Sequence, residues 1–164
     1  AEIGMRAAMT GHLVLSTVHA GDTIGTIFRL LDLGVEPFQI ANSMTMAISQ
    51  RLVRLLCSHC KRPFRPEARM VRDLKLDERQ SVELYAPVGC VRCMQTGFLG
   101  RMAIFEVMRF TPALRDVIIT RPTIGDIHKA AGDWLIRTLA DSGRRKVLEG
   151  LTSFEEAERV ASGD

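Results

Sequence analysis

Apolar positions near the start of the chain change from helical spacing to strand spacing. Residues 1–10 have the pattern of a helix that stops at Gly11. The run 12–18 is short and apolar, contains β-branched residues, and lies between Gly11 and Gly21. Such a run is typical of a strand buried on both faces in a parallel sheet that helices cover. We therefore predict a buried parallel strand at 12–18.

Two helices are predicted to follow this strand. Asp22 or Thr23 can cap the first, Gly34 ends it, and its apolar residues repeat at helical spacing: Ile24, Ile27, Phe28 and Leu31. Pro37 suits a first helical turn, and the second helix is predicted from about 37 to 50. Helices following a buried strand indicate an α/β fold.

The chain changes character at Cys57. Residues 57–100 hold all four cysteines, three of the six prolines and a charged stretch at 65–79 that predicts a solvated helix. We interpret this region as an inserted subdomain. The predicted division is therefore 1–56, 57–100 and 101–164.

The last segment combines one strand with helices. Residues 103–108 alternate as a strand does. Thr111-Pro112 indicates a helix start, and the sequence from Thr152 to Glu155 fits a capping box for the last helix.

Composition limits the function classes. The chain has 164 residues, 46% hydrophobic and 25% charged, which suits one sizeable domain with or without a small satellite, and argues against disorder. No apolar run reaches the roughly 18 residues of a transmembrane helix, and a net charge of +3 is too weak to indicate nucleic-acid binding.

The first helix has no start signal, so we expect the beginning of the domain to be missing; a processed terminus is the alternative.

The cysteines form two CxxC pairs, Cys57–Cys60 and Cys90–Cys93. Two such turns supply the four thiolates of a closed zinc tetrahedron, which predicts a structural Zn²⁺ site. Two disulfides would need an oxidising compartment, and a four-thiolate iron site has no accompanying sign of electron transfer. His59 lies inside the first pair, where a fifth ligand would crowd the metal, so we expect an exposed loop histidine.

Polar residues surround the end of the predicted strand. His12 and His19 bracket it, and Ser16, Thr17 and Asp22 lie near its carboxyl end, where open α/β sheets bind ligands. A histidine there can sense or polarise a phosphate, or hydrogen-bond a carboxylate that positions water. The alternative is that both histidines only satisfy backbone groups at the ends of the strand. A Ser-His-Asp hydrolase site is disfavoured because no nucleophile elbow surrounds the serine.

A set of motifs in order along the chain closely resembles the secretion ATPase family, the hexameric motors of type II secretion and type IV pilus assembly. The segment 10–19 resembles the family's His box. Further similar segments follow in this order: 29–38 (RLLDLGVEPF), 50–54 (QRLVR), the CxxC pairs, 97–101 (GFLGR) with Glu106, and 150–156 (GLTSFEE).

The resemblance implies a RecA-like P-loop NTPase core, of which this chain is the C-terminal part, with an inserted tetracysteine zinc subdomain and a helical C-terminal subdomain. His12 and His19 would lie near the γ-phosphate, with His19 the better candidate, and Arg101 would contact nucleotide. Arg51 and Arg54 are expected to be structural.

At the level of the whole protein, the resemblance implies a cytoplasmic homo-hexamer that uses ATP and Mg²⁺. It would reach the inner membrane through platform proteins, without inserting itself and without binding nucleic acid. The paired CxxC motifs favour the assembly and secretion branch over pilus retraction.

The sequence departs from the family pattern in two places. It contains no GxxxxGK[ST] loop and no Walker B segment, so we predict that this chain alone neither binds ATP tightly nor hydrolyses it. Ala20-Gly21 stands where relatives usually carry Thr-Asn.

A strand at 12–18 without upstream neighbours would also expose an unpaired edge, which predicts pairing with another copy, local disorder or aggregation.

The sequence leaves two other function classes open. A zinc module that recognises a protein or nucleic acid would show a basic face or stacking aromatics, but the chain has only 1 Trp, 1 Tyr and 7 Phe. The second class is a purely structural fragment that a zinc ion holds together.

Overall fold

A computed structural model describes residues 1–77 and 82–162, with the backbone alone at 133–137. The chain divides into two compact units. The first comprises Ala1–Ser49 and Glu106–Thr138, and the second comprises Gln50–Phe105 and Leu139–Asp164. The division falls within two long strands, so each of these strands contributes to both units. The predicted division into three segments stays a prediction.

The first unit is built mainly from helices. Its helices are α1 (Glu2–Met9), α2 (Thr23–Asp32), α3 (Pro37–Ser43), α5 (Pro112–Ile119) and α6 (Ile124–Leu135). One apolar core joins them, because α2, α3, α5 and α6 each turn an apolar face inward. Its buried residues include Ile24, Ile27, Ile40, Leu114, Ile118 and Ile127.

Helix boundaries follow the predicted caps. The Asp22 carboxylate accepts a hydrogen bond from the Gly25 N–H at 2.6 Å and starts α2, and Gly34 follows its end at φ +80°. Thr111 caps α5 through its hydroxyl, with Pro112 in the first turn. These predictions are confirmed.

The predicted strand at 12–18 is wrong. Residues 12–20 have no regular secondary structure, and Leu13 and Leu15 are 88% and 87% exposed. A buried strand needs neighbours on both edges to pair its backbone groups, and no strand of the described ranges pairs with this run. The apolar pattern alone carries no information about whether those neighbours are present.

The second predicted helix is too long. It ends at Ser43, and Met46–Leu56 forms strand β1 instead. Met44 adopts an extended conformation, and the Arg115 guanidinium donates to the carbonyls of Ala41 and Met44 that the helix leaves free. The spacing of apolar residues within α3 cannot predict this cap, because Arg115 belongs to another helix.

The second unit contains the shorter elements. These are β2 (Arg62–Phe64), α4 (Ala68–Asp73), β3 (Leu84–Ala86), a 3₁₀ turn (Val91–Cys93), α7 (Leu139–Leu148) and α8 (Phe154–Ala161). β2 pairs antiparallel with β3, with Arg62 opposite Ala86. Two small apolar clusters support the unit: Leu74, Leu84, Val147, Phe154 and Ala157 form one, and Val53, Ile104, Leu139 and Val160 form the other.

Strand β4 (Phe98–Arg109) confirms and extends the strand predicted at 103–108. It lies between β1 and β5 (Ile136–Arg137) in a three-stranded sheet, and it pairs antiparallel with β5. The combination of helices and strands confirms an α/β fold at this coarse level.

Two other predictions need correction in their bounds. The helix predicted at 65–79 covers only Ala68–Asp73, with its last two positions outside the described residues. The capping box of the last helix is displaced by one residue. Ser153, rather than Thr152, is the N-cap and accepts from the Glu156 N–H at 3.2 Å. The Thr152 hydroxyl instead donates to the Arg54 carbonyl at 2.8 Å.

Candidate metal centre and predicted nucleotide residues

The two CxxC pairs form one cluster, as predicted. The first pair follows β1, and the second lies at the 3₁₀ turn. All four Sγ atoms lie within 4.8 Å of one another. Cys57, Cys60 and Cys93 are buried, and Cys90 is half-buried.

The sulfur spacing fits a tetrahedral metal ion. Sγ–Sγ distances are 3.9 Å for Cys57–Cys90, 3.8 Å for Cys60–Cys93 and 3.7 Å for Cys90–Cys93. Zinc–thiolate bonds of about 2.3 Å place the sulfurs about 3.8 Å apart along each tetrahedral edge. A disulfide needs about 2.05 Å, and all four cysteines are free. The arrangement is therefore that of a ligand set rather than of two disulfide bonds.

Backbone N–H groups point at two of the sulfurs. Cys93 Sγ accepts from the N–H groups of Cys90 at 3.2 Å and Gly97 at 3.3 Å, and Cys60 Sγ accepts from the Gly89 N–H at 3.4 Å. Burial alone would raise the pKa of Cys93, but the N–H donors from Cys90 and Gly97 bring it down to about 6. Burial raises the pKa of Cys60 to about 11, and the single N–H donor, from Gly89, lowers it only in part. Donors of this kind stabilise the thiolate form that metals bind.

Glycines let the chain close tightly around the second pair. A Cβ on Gly97 would lie 2.5 Å from Pro87 Cβ, and one on Gly89 would lie 2.7 Å from the Gln95 carbonyl oxygen. Both glycines have positive φ. His59 is exposed and contacts Arg92, which agrees with the loop position predicted for it.

A buried carboxylate connects β1 and α8 in the same unit. Glu156 accepts from the Arg54 backbone N–H at 3.0 Å, from the Arg54 guanidinium at 2.6 Å and from Arg159 at 3.1 Å. Burial would raise the pKa of Glu156, but hydrogen bonds from Arg54 and Arg159, together with the charge of Arg54, lower it to about 2. The Arg54 guanidinium also lies 4.3 Å from the Phe98 ring centroid. Arg54 is thus structural, as expected.

The predicted nucleotide residues belong to different units: His12 and His19 to the first, and Arg101 to the second. His12 and His19 lie in the exposed run before α2, and His12 Nδ1 lies 3.1 Å from the Thr10 hydroxyl and 3.2 Å from the Ala7 carbonyl. No hydrogen bond links His12 to His19 in the described part of the chain. Arg101 is exposed on β4 in the second unit. Their roles stay predictions.

Sequence reasoning assigned no role to Glu106, which the structure shows to be buried. Its Oε1 accepts from the Thr23 backbone N–H at 2.9 Å and from the Thr23 hydroxyl at 2.7 Å. Glu106 thereby fixes the start of α2, just after the histidine run. The available signal was a lone carboxylate within the apolar strand pattern of 103–108.

None of the helices described is both long enough and apolar enough to cross a membrane.

Comparisons with known proteins address the family directly. A family model described as "Type II/IV secretion system protein" matches residues 1–159. Type II secretion system protein E of Pseudomonas aeruginosa is 42% identical over 98% of this chain and 32% of its own length. Type IV pilus assembly ATPase PilB of Myxococcus xanthus is 40% identical over 95% of this chain and 28% of its own.

A solved structure supports the fold. The X-ray structure of the Yersinia pseudotuberculosis ATPase DotB matches with a TM-score of 0.59 at 17% identity, over 98% of this chain and 33% of that one. The chain thus spans about a third of the length of the proteins it matches. With a family match that extends over nearly every residue, the chain belongs to the type II/IV secretion system protein family.

Proposed function

We propose that this chain is the C-terminal portion of a hexameric ATPase that powers type II protein secretion or type IV pilus assembly. The family match over residues 1–159 carries the proposal, because relatives with about 40% identity include a type II secretion protein E and PilB pilus assembly ATPases. ATP hydrolysis with Mg²⁺ then belongs to the longer protein. In it the chain supplies part of a RecA-like core, the zinc subdomain and the helical C-terminal subdomain.

The four cysteines are proposed to hold one structural Zn²⁺. Four thiolates close the tetrahedron and leave no position for a reacting water, so the metal supplies folding energy rather than chemistry. The N–H donors to Cys60 and Cys93 suit the anionic sulfurs such a site requires.

His12 and His19 are proposed to act near the γ-phosphate, and Arg101 is proposed to contact the nucleotide. Exposure of all three side chains leaves them free to meet a ligand or the rest of the longer protein. The buried Glu106–Thr23 contact supports this arrangement, since it fixes the chain four residues after His19. We place the protein in the cytoplasm, held at the inner membrane by platform proteins.

A chimera tests the proposal. The segment of Pseudomonas aeruginosa type II secretion system protein E that matches this chain would be replaced by this chain, and ATP turnover measured. We expect the chimera to hydrolyse ATP and this chain alone to show no turnover. His19→Ala should lower kcat at least about tenfold, and Arg101→Ala should raise KM for ATP.

His128→Ala is the matched control, because His128 is also exposed but lies on α6. A zinc-loaded hexameric chimera without turnover would contradict the proposed function. Equal effects of His19→Ala and His128→Ala would contradict the role of His19 alone.

A further inference from the structure

The segments that carry the cysteines have an uneven charge. Residues 50–66 contain five arginines and lysines and no aspartate or glutamate, and residues 84–105 contain two arginines and again no acidic residue. The whole chain, by contrast, has 22 basic and 19 acidic residues. Both segments belong to the second unit. No acidic residue lies within eight positions of Arg92 in sequence, and a guanidinium without a neighbouring acid favours acidic ligands.

Apolar side chains lie exposed at the second CxxC pair. Val88, Val91 and Met94 are 59%, 87% and 85% exposed, although they fall within seven consecutive residues. Arg92, between them, is exposed and contacts His59 of the first pair. We call these five residues the knuckle patch: His59, Val88, Val91, Arg92 and Met94. Clustered exposed apolar residues bordered by charge mark interaction sites.

The backbone presents this patch in a fixed conformation. Met94 and Gln95 have φ values of +50° and +62°, which glycine would adopt at lower cost. Hydrogen bonds from Met94 N–H to the Val91 carbonyl (3.2 Å) and from Gln95 N–H to the Cys90 carbonyl (2.9 Å) hold the turn. A surface that is already ordered loses little entropy on binding. Metal-site geometry explains the turn, but it does not require an exposed methionine at its tip.

We propose that the knuckle patch docks an acidic segment of a partner protein that carries apolar side chains. Carboxylates of the partner would pair with the Arg92 guanidinium, and its apolar side chains would pack on Val91 and Met94. One arginine beside three apolar residues suits a protein segment better than a nucleic acid, which needs several cations or stacking aromatics. The proposal rests on the proposed metal site, because the metal would hold the two CxxC turns together.

The test is an NMR titration of the zinc-loaded, ¹⁵N-labelled chain. The probe is a synthetic helical peptide with leucines on one face and glutamates on the other. Peptides with lysine in place of glutamate, and with serine in place of leucine, are the controls. We expect chemical-shift changes to concentrate at residues 58–59 and 88–95 with the first peptide and to be absent with both controls.

Two variants separate docking from folding. Met94→Gly suits the positive φ and should preserve the turn, yet it should weaken peptide binding about fivefold, and Arg92→Glu should weaken it about tenfold. Arg72→Glu, which changes an exposed arginine on α4, should alter binding less than about twofold.

Each contrary outcome has a definite meaning. Chemical shifts scattered over other basic residues, or undiminished binding by Met94→Gly, would overturn the docking proposal alone. Anionic phospholipid vesicles that shift the same resonances in place of the peptide would also overturn it, since the patch would then be a membrane surface. A chain that binds no zinc would contradict the proposed metal site and, with it, this proposal.

Discussion

Single residues with distant partners organise the second unit. Glu156 lies 102 positions from Arg54 in sequence, yet its buried carboxylate accepts both the backbone and the side-chain hydrogen bonds of that arginine. Arg54 and Arg159 have half-exposed side chains, whereas that of Glu156 is 1% exposed. The pair therefore depends on the buried acid, and its removal leaves a backbone N–H without an acceptor.

Glu156→Gln should lower the free energy of unfolding by about 2 kcal/mol at neutral pH, because a charged acceptor between two arginines is lost. The pKa of Glu156 falls from 4.5 to about 2 on folding. Its contribution is therefore complete above about pH 5 and is lost as the pH falls through about 2. Denaturant unfolding of both proteins from pH 7 to pH 2 measures it. Metal release at low pH affects both proteins alike, so parallel stability curves would contradict the role of ionised Glu156.

The sequence predicted that the four cysteines form one cluster, but it did not predict the contacts of Glu106 and Glu156. A CxxC motif shows two metal-binding thiols within four consecutive residues, and a second CxxC motif completes a set of four ligands. Glu106 meets Thr23 across 83 positions, and Glu156 meets Arg54 across 102. A lone carboxylate in an apolar strand pattern can indicate that Glu106 is buried, but only the fold determines which distant residue it contacts.

At the scale of helices and strands, caps were the most predictive features. Asp22, Gly34 and Pro112 act within one turn of their own position, so the sequence specifies them directly. The run 12–18 and the residues after Ser43 depend instead on distant partners. A strand needs neighbours, and the end of α3 is fixed by Arg115 from α5.

Two aspartates at opposite ends of α2 test the cap. Asp22→Ala should destabilise the first unit by about 1 kcal/mol, because the Gly25 N–H loses its acceptor. Asp32→Ala should be neutral or slightly stabilising, since an acid at a helix C-terminus opposes the dipole. Amide hydrogen exchange at residues 23–26 measures both effects. Faster exchange in Asp32→Ala than in Asp22→Ala would contradict the assignment.

Alanine substitutions at two glycines with similar φ distinguish the cost of backbone strain from the cost of steric crowding. Gly34→Ala, at φ +80° with open space around it, should cost about 1 kcal/mol from backbone strain alone. Gly97→Ala, at φ +77° and 2.5 Å from Pro87, should cost at least about 2 kcal/mol more and weaken zinc binding. Denaturant unfolding with a zinc competition assay compares them. Equal costs would show that the turn around Cys93 is looser than the structure indicates.

At the scale of the whole molecule, the chain matches only about a third of each relative's length. Under the proposed function, other parts of the longer protein cover the exposed Leu13 and Leu15 in the run 12–18. The two units each have their own buried core.

The isolated chain should self-associate through that run, because Leu13 and Leu15 are almost fully exposed beside unpaired backbone groups. Replacing both leucines with serine should shift the chain toward monomer in sedimentation velocity. Replacing Leu33 and Leu99, two exposed leucines outside the run and the knuckle patch, with serine is the control and should change self-association less. A parent chain that is already monomeric at high concentration would contradict the expectation.

Metal content and thiol titration, measured on one sample, would show whether the four cysteines hold a metal ion. We expect about one zinc per chain and no reactive thiol until a chelator removes the metal, because the four sulfurs lie close enough together to form one closed ligand set. A chain without metal whose four cysteines react freely, or are joined as two disulfides, would contradict it.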